Sequence, residues 1–230
     1  MKISDMAGRK DGNSGYSRVF NCTELGILLS KVQATVISNG SELERLILKR
    51  TNNIKDLDEF INQAADGNVD DGVFVCTKKI LKKSSYTVKD PISQKGIEPD
   101  LLVFQVQQKR VCKVIELKDG DAFDTKKTQG EREHLERFSK EFGSRIPFIT
   151  EFYICCFNQN DKNVIREGMK HVFSDNEILT GEEFCDILRL NYEEIVNERL
   201  NDACENLNYF LDELIKIPVI QELLKKKLGD

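Results

Sequence analysis

The sequence predicts an α/β fold in which helices flank a mixed central β-sheet and a helical part forms the carboxyl-terminal end. Two apolar runs, Leu101–Val106 and residues 111–117, lie on either side of four polar residues, which is typical of a β-hairpin. A third apolar run, residues 149–157, follows a stretch with helical spacing. Because a strand, a helix and another strand of this length form a crossover unit, part of the sheet is predicted to be parallel.

Helices are predicted to precede the sheet. Apolar residues recur at helical spacing over residues 23–38, the Asn-Gly pair at 39–40 is expected to end that helix, and Ser41 to begin the next. Residues 54–65 predict a third, short helix, with Leu57, Phe60 and Ile61 turned inward. Residues 73–76 are apolar and predict a further strand of the sheet.

Beyond the hairpin, further helices are predicted over residues 126–142, 161–172, 191–200 and 204–228. A capping box formed by Thr180 and Glu183 begins one more helix, and Pro218 interrupts the last one. The apolar stripe of the final helices fits either a dimerisation element or ordinary core packing. Residues 1–175 are expected to form the core with an N-terminal arm, and residues 176–230 a helical extension of the same domain.

The length and composition are those of an ordinary globular protein. The chain has 230 residues, of which 40% are hydrophobic and 32% charged, enough for one substantial core. No apolar run reaches the length that a bilayer requires, and the first residues lack the apolar region of a signal peptide, so we expect a cytoplasmic protein with no membrane partner. Seven cysteines without a CxxC pair are typical of small, reduced core residues, and two histidines offer little for a histidine-based centre.

Positive charge is concentrated around the predicted hairpin. The net charge is −5, yet residues 78–127 hold twelve Lys and Arg against seven Asp and Glu. Local cation density, more than the total charge, decides whether a surface binds phosphates. The candidate DNA-binding residues are Lys82, Lys83, Lys126 and Lys127. A solvated basic surface is the alternative, and residues 78–95 are expected to be loop. The basic, glycine-rich first twenty residues predict a mobile terminus or a DNA-contacting arm.

Three charged residues are expected to meet at one edge of the sheet. In an antiparallel hairpin, Asp100 at the start of the first strand lies beside Glu116 at the end of the second. Side chains alternate along a strand, so Glu116 and Lys118 project from one face. Two carboxylates with the Leu117 carbonyl suit Mg²⁺, and a neighbouring lysine can hold or activate a water near a phosphate. A structural ion pair between Glu116 and Lys118 is the alternative interpretation.

At these residues the sequence resembles the PD-(D/E)xK nuclease superfamily, with Pro99-Asp100 and Glu116-Leu117-Lys118 filling its pattern. The continuation over residues 119–131 looks most like type II restriction endonucleases. The resemblance implies a restriction-endonuclease-like fold and Mg²⁺-dependent hydrolysis of double-stranded DNA at a short sequence, leaving 5′-phosphate ends. It assigns the metal to Asp100, Glu116 and the Leu117 carbonyl, and the attacking water to Lys118. A homodimer would match a palindromic target.

Glu44 has two interpretations. It completes a capping box with Ser41, and it also occupies an early helix from which such nucleases extend an acidic residue to the metal site. Glu44 therefore joins the candidate catalytic residues. The alternatives for the whole protein are a DNA repair or junction-resolving nuclease of the same fold, a non-catalytic DNA-binding module, and an acidic helical scaffold that binds no DNA.

Overall fold

The protein is described as a computed structural model, in which residues 1–9, 15–120 and 125–229 are placed, apart from the side chain of Thr125. Two sequence predictions fall outside the described residues. One is the middle of the basic N-terminal segment, and the other is residues 121–124, which belong to the stretch that resembles type II restriction endonucleases.

The described chain alternates helices and strands. The strands are β1 (Asn52–Asn53), β2 (Gly72–Thr77), β3 (Val88–Lys89), β4 (Gly96–Ile97), β5 (Leu101–Val106), β6 (Val111–Lys118), β7 (Ile149–Cys156) and β8 (Ile178–Thr180). The helices are α1 (Gly15–Phe20), α2 (Thr23–Leu48), α3 (Leu57–Ala65), α4 (Lys78–Leu81), α5 (Thr125–Gly143), α6 (Lys162–Gly168), α7 (Gly181–Leu188), α8 (Tyr192–Ile215) and α9 (Pro218–Leu228). Short 3-10 turns occupy Ile3–Asp5 and Asp175–Glu177.

Six strands form one mixed sheet in the order β1-β2-β5-β6-β7-β8. The central pair β5–β6 is antiparallel, as is β2–β5, whereas β6–β7, β7–β8 and β1–β2 are parallel. Strands β3 and β4 form a separate antiparallel pair. The predicted α/β class with a mixed central sheet is therefore confirmed, including the parallel pair joined through α5.

An aromatic cluster packs against the central hairpin. The ring of Phe104 on β5 lies 5.0 Å from those of Phe60 and Phe148, and α5 adds Phe138 and Phe142, which stack 5.1 Å apart. All five side chains are at least nine-tenths buried. Burying a phenylalanine stabilises a fold by about 1.5–3 kcal/mol, so this cluster fixes α5 and the hairpin as one rigid layer.

The chain divides into two compact units. One unit is Glu44–Tyr192 and contains the six-stranded sheet, and the other combines Met1–Leu43 with Glu193–Asp230. The division predicted near residue 175 stays a prediction. Within the described residues, no helix has the length and apolar character needed to cross a bilayer.

The predicted helix break at residues 39–40 is wrong, since α2 continues from Thr23 to Leu48. Gly40 does not adopt a positive φ, and glycine in a helix costs only about 1 kcal/mol relative to alanine. That penalty is outweighed because Leu46 and Ile47, farther along the same helix, are fully buried. Ser41 is consequently a mid-helix residue, and the capping box predicted for Ser41 and Glu44 does not form.

Replacing Ser41 with alanine is expected to leave the melting temperature unchanged or slightly raised. Alanine has the higher helix propensity, by roughly 0.5 kcal/mol, and the exposed Ser41 caps no helix. If Ser41 were an N-cap, the same change would cost about 1 kcal/mol. Thr180→Ala is the matched control, because Thr180 accepts from the Glu183 N–H in an observed capping box and should lose that amount. Thermal unfolding followed by circular dichroism measures both variants.

Other boundaries also differ from the predictions. The lysine-rich segment expected to be loop, residues 78–95, contains α4 and β3, because Leu81 and Val88 are buried and anchor it, and β4 follows it directly. The helix predicted over residues 161–172 ends at Gly168, and α8 runs unbroken to Ile215.

A mobile terminus is the wrong prediction for residues 1–9 and 15–20. Ile3 is buried, and its N–H donates to Asn206 Oδ1 at 2.6 Å. Residues 15–20 form α1. The glycine-rich composition gives no indication of these contacts.

Candidate active site

The hairpin register brings Asp100 and Glu116 together. Leu101 on β5 pairs with Ile115 on β6, so the next position outward places Asp100 opposite Glu116. The Leu117 N–H donates a hydrogen bond to Asp100 Oδ2 at 3.0 Å, which fixes the carboxylate beside the second strand. The predicted adjacency of these two acids, sixteen positions apart, is thus confirmed.

Lys118 is held between two carboxylates. Its Nζ lies 2.7 Å from Glu116 Oε1, as the shared strand face predicts, and 2.9 Å from Glu131 Oε1 on α5. The three side chains are only 15%, 17% and 19% exposed for Lys118, Glu116 and Glu131 respectively. Ion pairs this well buried hold their geometry because breaking them leaves an uncompensated charge in a poorly solvated place.

The electrostatics of the site follow from this crowding. Burial, and then the negative charge of Asp100, raise the pKa of Glu116 to about 7. Burial disfavours the charged form of Lys118, but attraction to Glu116 and Glu131 is stronger and raises its pKa above the ordinary lysine value. Lys118 is therefore an ammonium group in this arrangement and acts as a hydrogen-bond donor. The uncompensated carboxylate charge is what a cation would neutralise.

Glu44 also belongs to this group of charges. It is half-buried on the last part of α2, and burial and the charge of Asp100 raise its pKa, while Lys78 lowers it. Lys78 Nζ lies 4.0 Å from Asp100 Oδ1, and the Lys78 N–H donates to the Asp100 carbonyl at 3.2 Å. The structure therefore brings Glu44, Asp100, Glu116 and Lys118 into one electrostatic cluster.

A cavity of about 240 Å³ opens at this cluster, and its lining shows what sequence reasoning missed. Lys78, Glu131 and His134 line it together with Glu116, although none of the three was assigned a role. Helical spacing held a signal, because Glu131, His134 and the buried Leu135 lie on one face of α5. The sequence could not show that this face packs over β6.

The donor atoms fit a hard divalent cation. Among the residues placed in the structure, no group of three or more His, Cys, Asp and Glu side chains is arranged to hold a metal ion. The candidate set is smaller, with the carboxylates of Asp100 and Glu116 and the Leu117 carbonyl. Magnesium commonly takes one or two carboxylates and keeps several waters, so a set of two carboxylates and one carbonyl matches its requirements.

The four candidate DNA-binding lysines are on the surface. Lys82 follows α4 and pairs with Glu98 at 2.8 Å, and Lys83 next to it is exposed. Lys126 and Lys127 are exposed in the first turn of α5, the helix that also carries Glu131. Two basic pairs are therefore placed on segments that adjoin the candidate site.

Comparison with curated proteins identifies the family. The chain matches one of them with 59% identity over 226 residues, and the match covers 98% of both chains. The chain therefore belongs to the type II restriction enzymes and is a site-specific endodeoxyribonuclease, as predicted. The relative is the type II restriction enzyme HhaII of Haemophilus parahaemolyticus. No family model and no solved structure matches the chain. Enzymes of this family bind DNA and generally use a divalent metal ion.

Proposed function

We propose that the chain is a PD-(D/E)xK nuclease that uses Mg²⁺ to cut double-stranded DNA at a short specific sequence. The observation that carries the proposal is the meeting of Asp100, Glu116 and Lys118 at one end of the central hairpin. Family membership supports the activity, and the Pro99-Asp100 and Glu116-Leu117-Lys118 pattern supports the superfamily. Membership of the type II restriction enzymes argues against a repair or junction-resolving nuclease, a non-catalytic DNA-binding module and a scaffold, none of which cuts DNA at a fixed sequence.

The metal ligands in this proposal are Asp100, Glu116 and the Leu117 carbonyl. When bound there, magnesium would neutralise charge on the scissile phosphate and make a water more acidic. The hydrogen bond from the Leu117 N–H holds Asp100 in place, and the ion pair with Lys118 holds Glu116. Glu44 supports a second metal or the water network, because it faces the same charge cluster. Fixing ligands this way removes the reorganisation that catalysis would otherwise require.

Lys118 orients the attacking water in this mechanism. Its ammonium group is restrained by Glu116 and Glu131, so a hydrogen bond from Nζ can direct the water oxygen at the phosphorus. The new bond forms between that oxygen and phosphorus while the bond from phosphorus to the 3′ oxygen breaks. The attacking water gives up one proton to solvent, the 3′ oxygen leaves as a hydroxyl by taking one from solvent, and the phosphate stays on the 5′ end.

The biological unit in this proposal is a homodimer that acts on palindromic duplex sites. Each chain holds one candidate site, whereas a double-strand break requires two phosphodiester bonds to be cut. The cytoplasmic location predicted from the sequence stays a prediction.

Digestion of a phage genome of known sequence tests the proposed function. The wild-type chain with Mg²⁺ should give discrete fragments, and mapped fragment ends should share one short palindrome and ligate without added kinase. EDTA should abolish the fragments. A smear without a common end sequence would contradict specificity, and fragments formed in EDTA would contradict the metal.

Replacing Lys126 and Lys127 together with alanine is expected to weaken DNA binding. Each lysine that contacts a phosphate releases about one counterion, so losing two should reduce the slope of log K against log salt by about 2. Fluorescence anisotropy with a labelled duplex, without metal so that no cutting occurs, measures the slope.

The matched control for this variant is Lys140→Ala at the other end of α5, where Lys140 is exposed and pairs with Glu136. It should bind like the wild type. An unchanged slope in the double variant would remove these residues from the DNA-binding surface.

A further inference from the structure

The short ribbon of β3 and β4 borders the candidate active site. We call residues 88–97 the β3–β4 ribbon; its two strands are antiparallel, and residues 90–95 form its tip. Gly96 and Ile97 on β4 line the cavity of about 240 Å³ that also contains Glu116. Because the tip is exposed beyond its first residue, the ribbon extends from the wall of that cavity into solvent.

The inner side of the ribbon is fixed to α5. Val88 and Ile97 lie opposite each other across the two strands, and both are buried in the core that α5 helps to form. Arg137 on α5 donates a hydrogen bond to Asp90 Oδ2 at 2.9 Å. Since α5 also forms one rigid layer with the hairpin of β5 and β6, the tip keeps a set position relative to Asp100.

The tip is held by hydrogen bonds of its own. Asp90 Oδ1 accepts from the N–H groups of Ile92 and Ser93, at 3.1 and 2.7 Å. The Asp90 carbonyl accepts from the Gln94 N–H at 2.9 Å, and the Asp90 N–H donates to the Lys95 carbonyl at 2.8 Å. Gln94 has a φ of 57°, a left-handed conformation that a residue other than glycine adopts only where its surroundings impose it. The tip therefore presents Ile92 on a fixed loop.

Charge favours a nucleic acid as the partner of the ribbon. Residues 78–97 include six lysines and one acidic residue, Asp90, which is paired with Arg137. Lys89 and Lys95 stand at either end of the tip, and both are exposed. Such a local excess of positive charge attracts phosphates even on a chain whose net charge is −5.

One apolar side chain stands at the centre of this basic tip. Ile92 is 91% exposed, more than any other large hydrophobic residue that the structure describes. Isolated exposed apolar residues are common, but the loop around Ile92 fixes it in place between two lysines. A side chain that is fixed, exposed and apolar gains most from burial when a partner covers it, because little conformational freedom is lost.

We propose that the β3–β4 ribbon enters the major groove of the DNA and that Ile92 contacts the C5-methyl group of a thymine in the recognised sequence. A two-stranded ribbon fits the major groove, which is about 12 Å wide, but not the minor groove, which is about 6 Å wide. The side chain of isoleucine has no hydrogen-bonding group, so the thymine methyl is the feature of a base edge that it distinguishes. Lys89 and Lys95 then pair with phosphates that flank the groove.

The length of the ribbon places this contact near the scissile phosphate. Ile92 and Asp100 are eight residues apart, so their Cα atoms are separated by at most about 28 Å even in a fully extended chain. One turn of B-DNA is about 34–36 Å long. The contacted base therefore lies within about one helical turn of the bond that is cut. This inference rests on the proposed function, since it names a residue that reads the short sequence.

Removing single methyl groups from the DNA tests the contact. Once the cut sequence is mapped, duplexes are made in which each thymine in turn is replaced by deoxyuridine, which lacks only the C5-methyl group. In single-turnover cleavage the wild type should cut one of these duplexes about 4-fold more slowly, because one buried methyl group contributes about that factor. Ile92→Ala should cut the unmodified duplex at least about 4-fold more slowly, and it should cut the deoxyuridine duplex at that same rate.

Val164→Ala is the matched control, since Val164 is an exposed apolar residue on α6 of the same unit. It should keep both the wild-type rate and the wild-type sensitivity to deoxyuridine. A recognised sequence without thymine, or one in which no deoxyuridine slows the wild type, would overturn the contact. Slow cutting by Ile92→Ala with unchanged sensitivity to deoxyuridine would also overturn it, and would indicate an apolar wedge in the minor groove.

Selection of bound duplexes from a random pool separates this inference from the proposed function. A wild type that cuts no DNA would contradict the proposed function alone, because the selection reads binding. The wild type should enrich a sequence in which one thymine is required, and Ile92→Ala should enrich the same sequence without that requirement. Identical enrichment by the two proteins would overturn the contact.

Discussion

Replacing Lys118 with alanine is expected to lower the cleavage rate at least about 100-fold while DNA binding persists. The ammonium group is placed by Glu116 and Glu131 and has no equivalent in the variant, so the attacking water loses its orienting donor. Binding depends mainly on surface lysines, which the substitution leaves in place. Single-turnover cleavage of a plasmid and anisotropy on the same duplex separate the two effects.

Lys113→Ala is the matched control. Lys113 lies on the same strand and also pairs with a glutamate, Glu151, at 2.6 Å. Because side chains alternate along a strand, Lys113 projects from the opposite face of the sheet to Lys118. The control should cut DNA at close to the wild-type rate. Normal cutting by the Lys118 variant would remove the lysine from the mechanism, and loss of cutting by both would point to damage of β6.

Replacing Asp100 with asparagine is expected to act in opposite directions on activity and stability. Cleavage should fall about 1000-fold, because a metal ligand loses its charge. Without metal, the variant should be more stable by on the order of 1 kcal/mol, or about 2–4 °C for a chain of this size, because repulsion toward Glu116 and Glu44 is relieved. The asparagine carbonyl can still accept the Leu117 N–H, and the weak 4.0 Å pair with Lys78 is a small loss.

Magnesium supplies the internal control for this variant. Wild-type protein should melt at a higher temperature when Mg²⁺ is added, since a ligand that binds only the folded state stabilises it. The Asp100 variant should show a much smaller rise. A variant that is less stable than the wild type in EDTA would contradict the charge repulsion at Asp100. A variant whose melting temperature rises as much with Mg²⁺ as that of the wild type would contradict the assignment of Asp100 as a metal ligand.

Features of the fold that depend on residues close together in the chain were predictable from the sequence. The hairpin of β5 and β6 followed from two apolar runs around a polar turn, and its pairing then placed Asp100 beside Glu116 without further information. The capping box at Thr180 was equally local, because its two partners are three residues apart. These features depend on neighbours in the chain, which a single sequence displays.

Features that depend on packing between distant segments were not predictable. Glu131 reaches Lys118 only because α5 packs over β6, and no spacing in the sequence records that approach. The helix break expected near Gly40 does not occur, for a related reason. Burial of residues farther along α2 outweighs the local helix-propensity cost of glycine, which is about 1 kcal/mol.

The position of Lys118 at the end of an interior strand constrains how the length of the chain can vary. Strand β6 is bonded on one side to β5 and on the other to β7, so its residues cannot shift along either neighbour without breaking both ladders. One residue gained or lost between Val111 and Lys118 would turn the lysine to the far side of the sheet. Residues 107–109 lie outside both ladders, so natural variants should accumulate insertions there and none within the strand.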